Sequence, residues 1–132
     1  MLDMPDYFLA LNKQYGLAIS DQQAQHHVRA VIKAWYLTLP TNKQLNLESS
    51  LPSYLVPKKQ LFYHRLVNSE GINQSSVMIA RLLIELQKTD EIEVVNVLSG
   101  VFKSLKIILD HHEKFELSKL LDKRLQALFV NA

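Results

Sequence analysis

The sequence predicts an all-α fold, a compact bundle of seven or eight helices in two pseudo-repeated halves. Three observations carry this expectation. Leucine dominates, while glycine (three) and proline (four) are scarce among 132 residues; all-β domains need many turn residues and β-branched runs. Helix-start signals stand at Ser20, Thr41, Asp90 and Asp110, each followed three residues on by Gln or Glu, the spacing of a capping box. An apolar frame also recurs at an offset of seventy. Val31, Leu39, Leu47, Leu51 and Leu55 return as Val101, Leu109, Leu117, Leu121 and Leu125, with Lys33 as Lys103, Leu37 as Ile107 and Leu45 as Phe115. What recurs in such a frame is read as core. An offset of forty-seven aligns Ile32, Leu39 and Leu47 with Ile79, Leu86 and Val94, so a generic likeness among helical hairpins stays open as a second explanation.

Each element has its own signal. A first helix is expected near Asp6–Gln14, stopped by Gly16. The second, about Asp21–Thr38, carries Ala24, Val28, Val31, Ile32, Trp35 and Leu39 at three- and four-residue steps and ends at Pro40. A short third helix, about Asn42–Ser50, meets Pro52 after Leu51. Pro57 opens a fourth, with Lys58 and Lys59 in its first turn, Leu61, Phe62, Arg65 and Leu66 following, and Gly71 closing it. Helices near Ser75–Lys88, Asp90–Leu109, Glu113–Leu121 and a last one or two turns to about Phe129 complete the set. Gly100 falls mid-helix, where it costs about 1 kcal/mol relative to Ala; close helix packing or a kink is expected there. No Gly-, Ser- or Pro-rich linker separates the halves, about 1–57 and 58–132, so 1–132 reads as a single helical domain.

Composition narrows the function classes. Hydrophobic content of 48% and charged content of 21% are globular values. Net charge is only +2, a small electrostatic footprint for a nucleic-acid binder. With no cysteine there is no disulfide, thiol nucleophile or thiolate metal site. The acidic start, Asp3-Met4-Pro5-Asp6, does not read as a secretory signal, and Glu93, Asn96, Lys103 and Lys106 interrupt the most apolar stretch. A cytoplasmic protein without a membrane span is expected.

The first half reads Gly16-Leu17, Ala24, Ala30-Val31-Ile32, Leu39, Leu47, then Leu51-Pro52 and Leu55. The second reads Phe62, Arg65-Leu66, Glu70-Gly71-Ile72, then Val101-Phe102, Leu105, Glu113, Leu121, Leu125 and Leu128-Phe129. This pattern resembles the prokaryotic domain of unknown function 2267 family, whose two similar halves each run from a helix through a short helix to Leu-Pro and a closing apolar pair. Asp122 departs from it, standing where the second proline would be, and about a dozen extra residues between Gly71 and Val101 suggest one additional helix. The resemblance implies a small all-helical domain and carries over no catalytic or binding residue.

Chemical motifs are sparse. His26-His27 and His111-His112 are adjacent pairs, and neighbours on a helix point about a hundred degrees apart, unlike a chelating i, i+4 pair. Asp110-His111-His112-Glu113 is the densest ligand-type cluster, but it reads as a helix cap. No nucleophile elbow, P-loop or dinucleotide fingerprint occurs. Neither an enzyme nor a cofactor or metal site is therefore expected. Two basic groups qualify as binding surfaces: Lys58, Lys59 and Arg65 with Phe62 and Tyr63 interleaved, and Lys119, Lys123 and Arg124, where i, i+4 spacing would point Lys119 and Lys123 the same way. The expected role is a non-enzymatic protein-interaction or regulatory module that binds a protein partner or itself. Weak nucleic-acid binding through a basic helical face is the alternative. Residues 77–86 and 92–109 are apolar around most of their circumference, so either the fold covers them or a partner does.

Overall fold

The computed structural model describes residues 3–57 and 73–132. The expected fourth helix, with Lys58, Lys59 and Arg65, lies outside the described residues. Those residues form seven α-helices and one 3-10 turn: α1 (Asp6–Tyr15), α2 (Asp21–Leu37), α3 (Thr41–Ser50), the turn Ser53–Leu55, α4 (Gln74–Glu85), α5 (Glu91–Ile108), α6 (His111–Ser118) and α7 (Lys123–Asn131). None is long and apolar enough to cross a membrane.

Starts and stops follow the local chemistry, with informative exceptions. Gly16 caps α1, and α2 ends at Leu37, just before Pro40. The Asp110 carboxylate accepts from the Glu113 N–H at 2.8 Å, while the Glu113 carboxylate accepts from the Asp110 N–H at 3.0 Å, a complete capping box. The other three boxes are incomplete. Ser20 accepts from the Gln23 N–H, but the Gln23 amide reaches one residue further back, to the Ile19 N–H at 2.7 Å. Asp90 accepts from the Ile92 N–H, and Glu93 stays in solvent. Thr41 is no cap at all: the helix begins one residue early, with Pro40 at the cap position. Gln44 thereby stands one residue past the box position, and its side-chain amide donates to the Tyr36 carbonyl at 3.0 Å.

The bounds themselves recur. Adding seventy to α2 gives 91–107, against Glu91–Ile108 for α5, and adding it to α1 gives 76–85, against Gln74–Glu85 for α4. Likewise α3 maps onto α6, and the turn at Ser53 maps onto the start of α7. The only two non-glycine residues with positive φ among those described, Leu17 (64°) and Gln87 (54°), are also seventy apart. Each reverses the chain just past a helix end. α4 falls in the stretch between Gly71 and Val101 where one additional helix is expected, and its bounds lie within two residues of those of α1 plus seventy. An offset of forty-seven preserves fewer boundaries: it brings the end of α2 to the end of α4 but lays α3 across the α4–α5 junction.

Helices pack both on their sequence neighbours, α1 on α2 and α4 on α5, and on distant partners. α1 lies on α5, α4 lies on α2, α3 lies on α6, and α2 and α5 meet in the middle. Trp35 and Phe102 meet edge to face at 5.8 Å, and Phe102 meets Phe129 at 5.2 Å. The Trp35 indole N–H donates to the Leu120 carbonyl at 3.1 Å, so this fully buried ring ties α2 to the α6–α7 turn. Gly100 is where α5 meets the end of α1: a Cβ there would stand 2.4 Å from Gly16 Cα and from the Tyr15 carbonyl oxygen. The repeated lysines serve that same junction in both halves. Lys33 lies 3.8 Å from Glu85 at the end of α4, and Lys103 lies over the Tyr15 ring at the end of α1, 4.4 Å from its centre.

The apolar frame is core, with exceptions. Ile107 is 52% exposed although its counterpart Leu37 is buried, and both Leu45 and Phe115 face solvent. Matching apolar residues therefore mark a shared helix frame without guaranteeing burial. Most of α5 is covered by the chain itself: Val94, Val97, Leu98, Val101, Phe102 and Leu105 are all buried.

Candidate functional site

An apolar concavity forms where α7 crosses α4 and α5, between the contacts that fasten the two ends of α7. At its start, Asp122 accepts from the Leu125 N–H at 3.0 Å and, through its other oxygen, from the Ser75 N–H at 2.8 Å. Gln74 completes the junction. Its amide donates to Thr38 Oγ1 and the Leu120 carbonyl, and its oxygen accepts from the Asp122 N–H at 2.7 Å. Arg124 pairs with Glu91 at 2.8 Å. At the far end, Lys106 donates to the carbonyls of Phe129, Val130 and Ala132 at 2.9–3.0 Å, placing a cation at a helix C-terminus. Between these anchors Ile79, Val95, Leu98, Leu125 and Leu128 line a groove of about 240 Å³, with Arg124, Ala127 and Asn131 around it.

The predicted basic surface does not hold together. Lys119 ends α6 and Lys123 begins α7, so the turn between them breaks the helical spacing on which a common face depended. Lys119 pairs with Glu116 at 2.5 Å, lies over the Phe115 ring, and lines a separate polar groove of about 360 Å³ with Lys43, Asn46, Ser49 and Ser50. Its hydrogen bond holds the Glu116 carboxyl below the usual carboxylate range. Arg124 opens instead onto the apolar groove, and Lys123 is exposed. Lys58, Lys59 and Arg65 lie outside the described residues.

Elsewhere, polar groups mainly hold the fold together. Asp110 and Glu113 form their capping box beside exposed His111 and His112. No group of three or more His, Asp or Glu among the described residues is placed to hold a metal ion. Within the adjacent pair on α2, His26 is exposed and contacts the Glu85 carbonyl at 3.2 Å, whereas His27 is buried. Burial pushes the His27 pKa down; a backbone hydrogen bond with Gly16 opposes this, and positive charge at His26 and Lys88 reinforces it. The Tyr7 and Tyr54 hydroxyls meet at 3.3 Å. Burial, together with that contact, raises the Tyr54 pKa.

Sequence reasoning missed the α4–α5–α7 groove. Its signal was the apolar excess of residues 77–86 and 92–109, but which part stayed uncovered depends on where α7 crosses. No protein-family model, curated protein or solved structure matches the chain.

Proposed function

We propose that this chain is a non-enzymatic, cytoplasmic protein-interaction or regulatory module that engages a protein partner through the groove between α4, α5 and α7. One observation carries the reading: five apolar side chains line an open groove and no cluster of polar groups converges on it. Such a surface gains from excluding water and has little with which to polarise a substrate. The shared helix bounds at an offset of seventy and the paired Leu17 and Gln87 conformations support a pseudo-repeated domain resembling the prokaryotic domain of unknown function 2267 family.

Nucleic-acid binding is the weaker reading. Lys119 and Arg124 each have a carboxylate partner, and they line different concavities.

The test is a photo-crosslinking amino acid at exposed Ala127, with Glu93 as the control position, in the native cell. Discrete adducts from position 127 and none from position 93 are expected. An adduct of twice the chain's mass would identify self-association; no adduct from position 127 would overturn the reading.

A further inference from the structure

A second, polar groove lies where the end of α1 meets α5. Along α5, Asn96, Ser99 and Lys103 stand at steps of three and four, so their side chains share one face, with Gly100 beside them. Tyr15 from α1 and Asn131 from α7 line the same concavity, of about 390 Å³, within the range of small-ligand sites. One side of it is firm, because the backbone at Gly100 is pressed against that of Tyr15 and Gly16. Its polar groups differ from those that hold the fold together. Among the described residues, the side chains of Asn96, Ser99, Lys103 and Asn131 have no hydrogen bond or ion pair with any other residue. Lys103 rests on the Tyr15 ring, 4.4 Å from its centre, and none of the described residues lining the groove carries a side-chain carboxylate. In the first half the corresponding lysine is answered. Lys103 corresponds to Lys33, and Tyr15 to Glu85, at the offset of seventy. The Glu85 carboxylate lies 3.8 Å from Lys33 and 2.8 Å from Arg81. The second half keeps the lysine but has an aromatic ring in place of the acid, and Leu11 in place of Arg81. Its positive charge faces only neutral donors.

We propose that this groove binds a carboxylate on a short aliphatic chain, the group that the first half supplies from its own sequence. Lys103 gives the charge-assisted bond, and the Asn96, Ser99 and Asn131 side chains donate to the remaining lone pairs of the carboxylate. Exposed Leu17, which also lines the groove, offers apolar surface to the aliphatic chain. Phosphate fits less well. It brings up to two negative charges to a single lysine, and the N–H groups of residues 96–103 lie mid-helix, spent on the helix itself. The same carboxylate chemistry occurs on a free small acid and on a glutamate side chain.

The experiment is an NMR titration of the full chain at constant ionic strength, up to about 50 mM ligand, a range suited to millimolar binding. One arm uses butyrate, a free acid. The other uses acetyl-Glu-methylamide, which carries its carboxylate on the same length of chain from a peptide backbone. Shifts centred on the backbone amides of Asn96, Ser99, Gly100 and Lys103, and on the side-chain amides of Asn96 and Asn131, are expected. The tighter arm identifies the source, and equal affinity means that the carboxylate and its chain alone are recognised. Lys103→Gln should weaken binding about tenfold, the loss of a charge-assisted hydrogen bond. Tyr15→Glu sets the first half's acid beside Lys103 and should abolish binding, with the circular dichroism unchanged. Lys33→Gln, at the lysine that already has its carboxylate, should leave binding as it was. No shifts in either arm, shifts centred elsewhere, full binding by the Lys103→Gln chain, or tighter binding of inorganic phosphate would each overturn the proposal. The result of crosslinking from position 127 does not bear on it.

Discussion

At the level of single residues, Gly100 and His27 carry opposite lessons about burial. Glycine inside a helix normally invites replacement, since alanine gains about 1 kcal/mol. Here the added methyl would meet backbone of Tyr15 and Gly16, which cannot step aside as a flexible side chain would. Gly100→Ala should therefore destabilise by about 2 kcal/mol, in the range of overpacked cores, read as a lower denaturant midpoint. His27 faces the other way in chemistry. Its pKa is lower folded than unfolded, so above the unfolded value near 6.5 both states are neutral and pH has no leverage through it. As pH falls below that value the unfolded chain takes up the proton first, and stability drops until the folded pKa is passed. A thermal melt series from pH 7.5 to pH 5 should show that loss, as order-of-magnitude endpoints around the pKa range of histidine, and His27→Gln should flatten it. A series equally steep in the variant would remove His27 as the cause. The mid-helix glycine was legible as a close approach; which half of the His26-His27 pair would be buried was not, because adjacent positions on α2 differ only in rotation.

Among the elements, α6 and α7 are short and depend on their ends. α6 has eight residues and only Leu117 fully buried within it, and a helix this short has little stability of its own. Asp110→Ala should cost about 1 kcal/mol, the usual loss of an N-cap, with amide exchange accelerating first in residues 111–118. At the other end of the bundle, Lys106→Met keeps the stem but frees three carbonyls. It should cost about 1 kcal/mol after allowance for solvent around a partly exposed ammonium, with faster exchange near Phe129. Exchange unchanged in α7 would show that Lys106 is a bystander. Caps and stops are what the sequence made most legible, since Gly16, Ser20, Asp90 and Asp110 act through groups two to four residues away. The basic face was illegible for the complementary reason: Lys119 and Lys123 share a helical spacing only if no turn intervenes, and Asp122 starts a new helix between them. Burial failed similarly: Leu45 and Phe115 share a frame position that faces solvent in both stretches, and Ile107 is exposed where Leu37 is buried.

For the whole molecule, α1 packs on α5 and α4 on α2 as well as each on its sequence neighbour, so residues 3–57 and 73–132 share one core. Residues 1–57 expressed alone should show no cooperative melt, and the intact chain should unfold in one step by both helical circular dichroism and Trp35 fluorescence. Separate midpoints for the two signals would mean the halves are independent. The helices could be written down from periodicity, yet their full pairing could not, because the apolar stripe of α1 gives no sign that it packs on α5 as well as on its sequence neighbour α2. That pairing also sets a tempo. Helical bundles usually fold fast because their contacts are local, but here α1, besides packing on neighbouring α2, must also find α5, whose first residue, Glu91, is encoded seventy-six positions after Tyr15. The loop closed in that search is long, and its entropy is lost before the α1–α5 contact repays it. A chain built almost wholly from helices should therefore fold with the slowness of a mixed α/β domain.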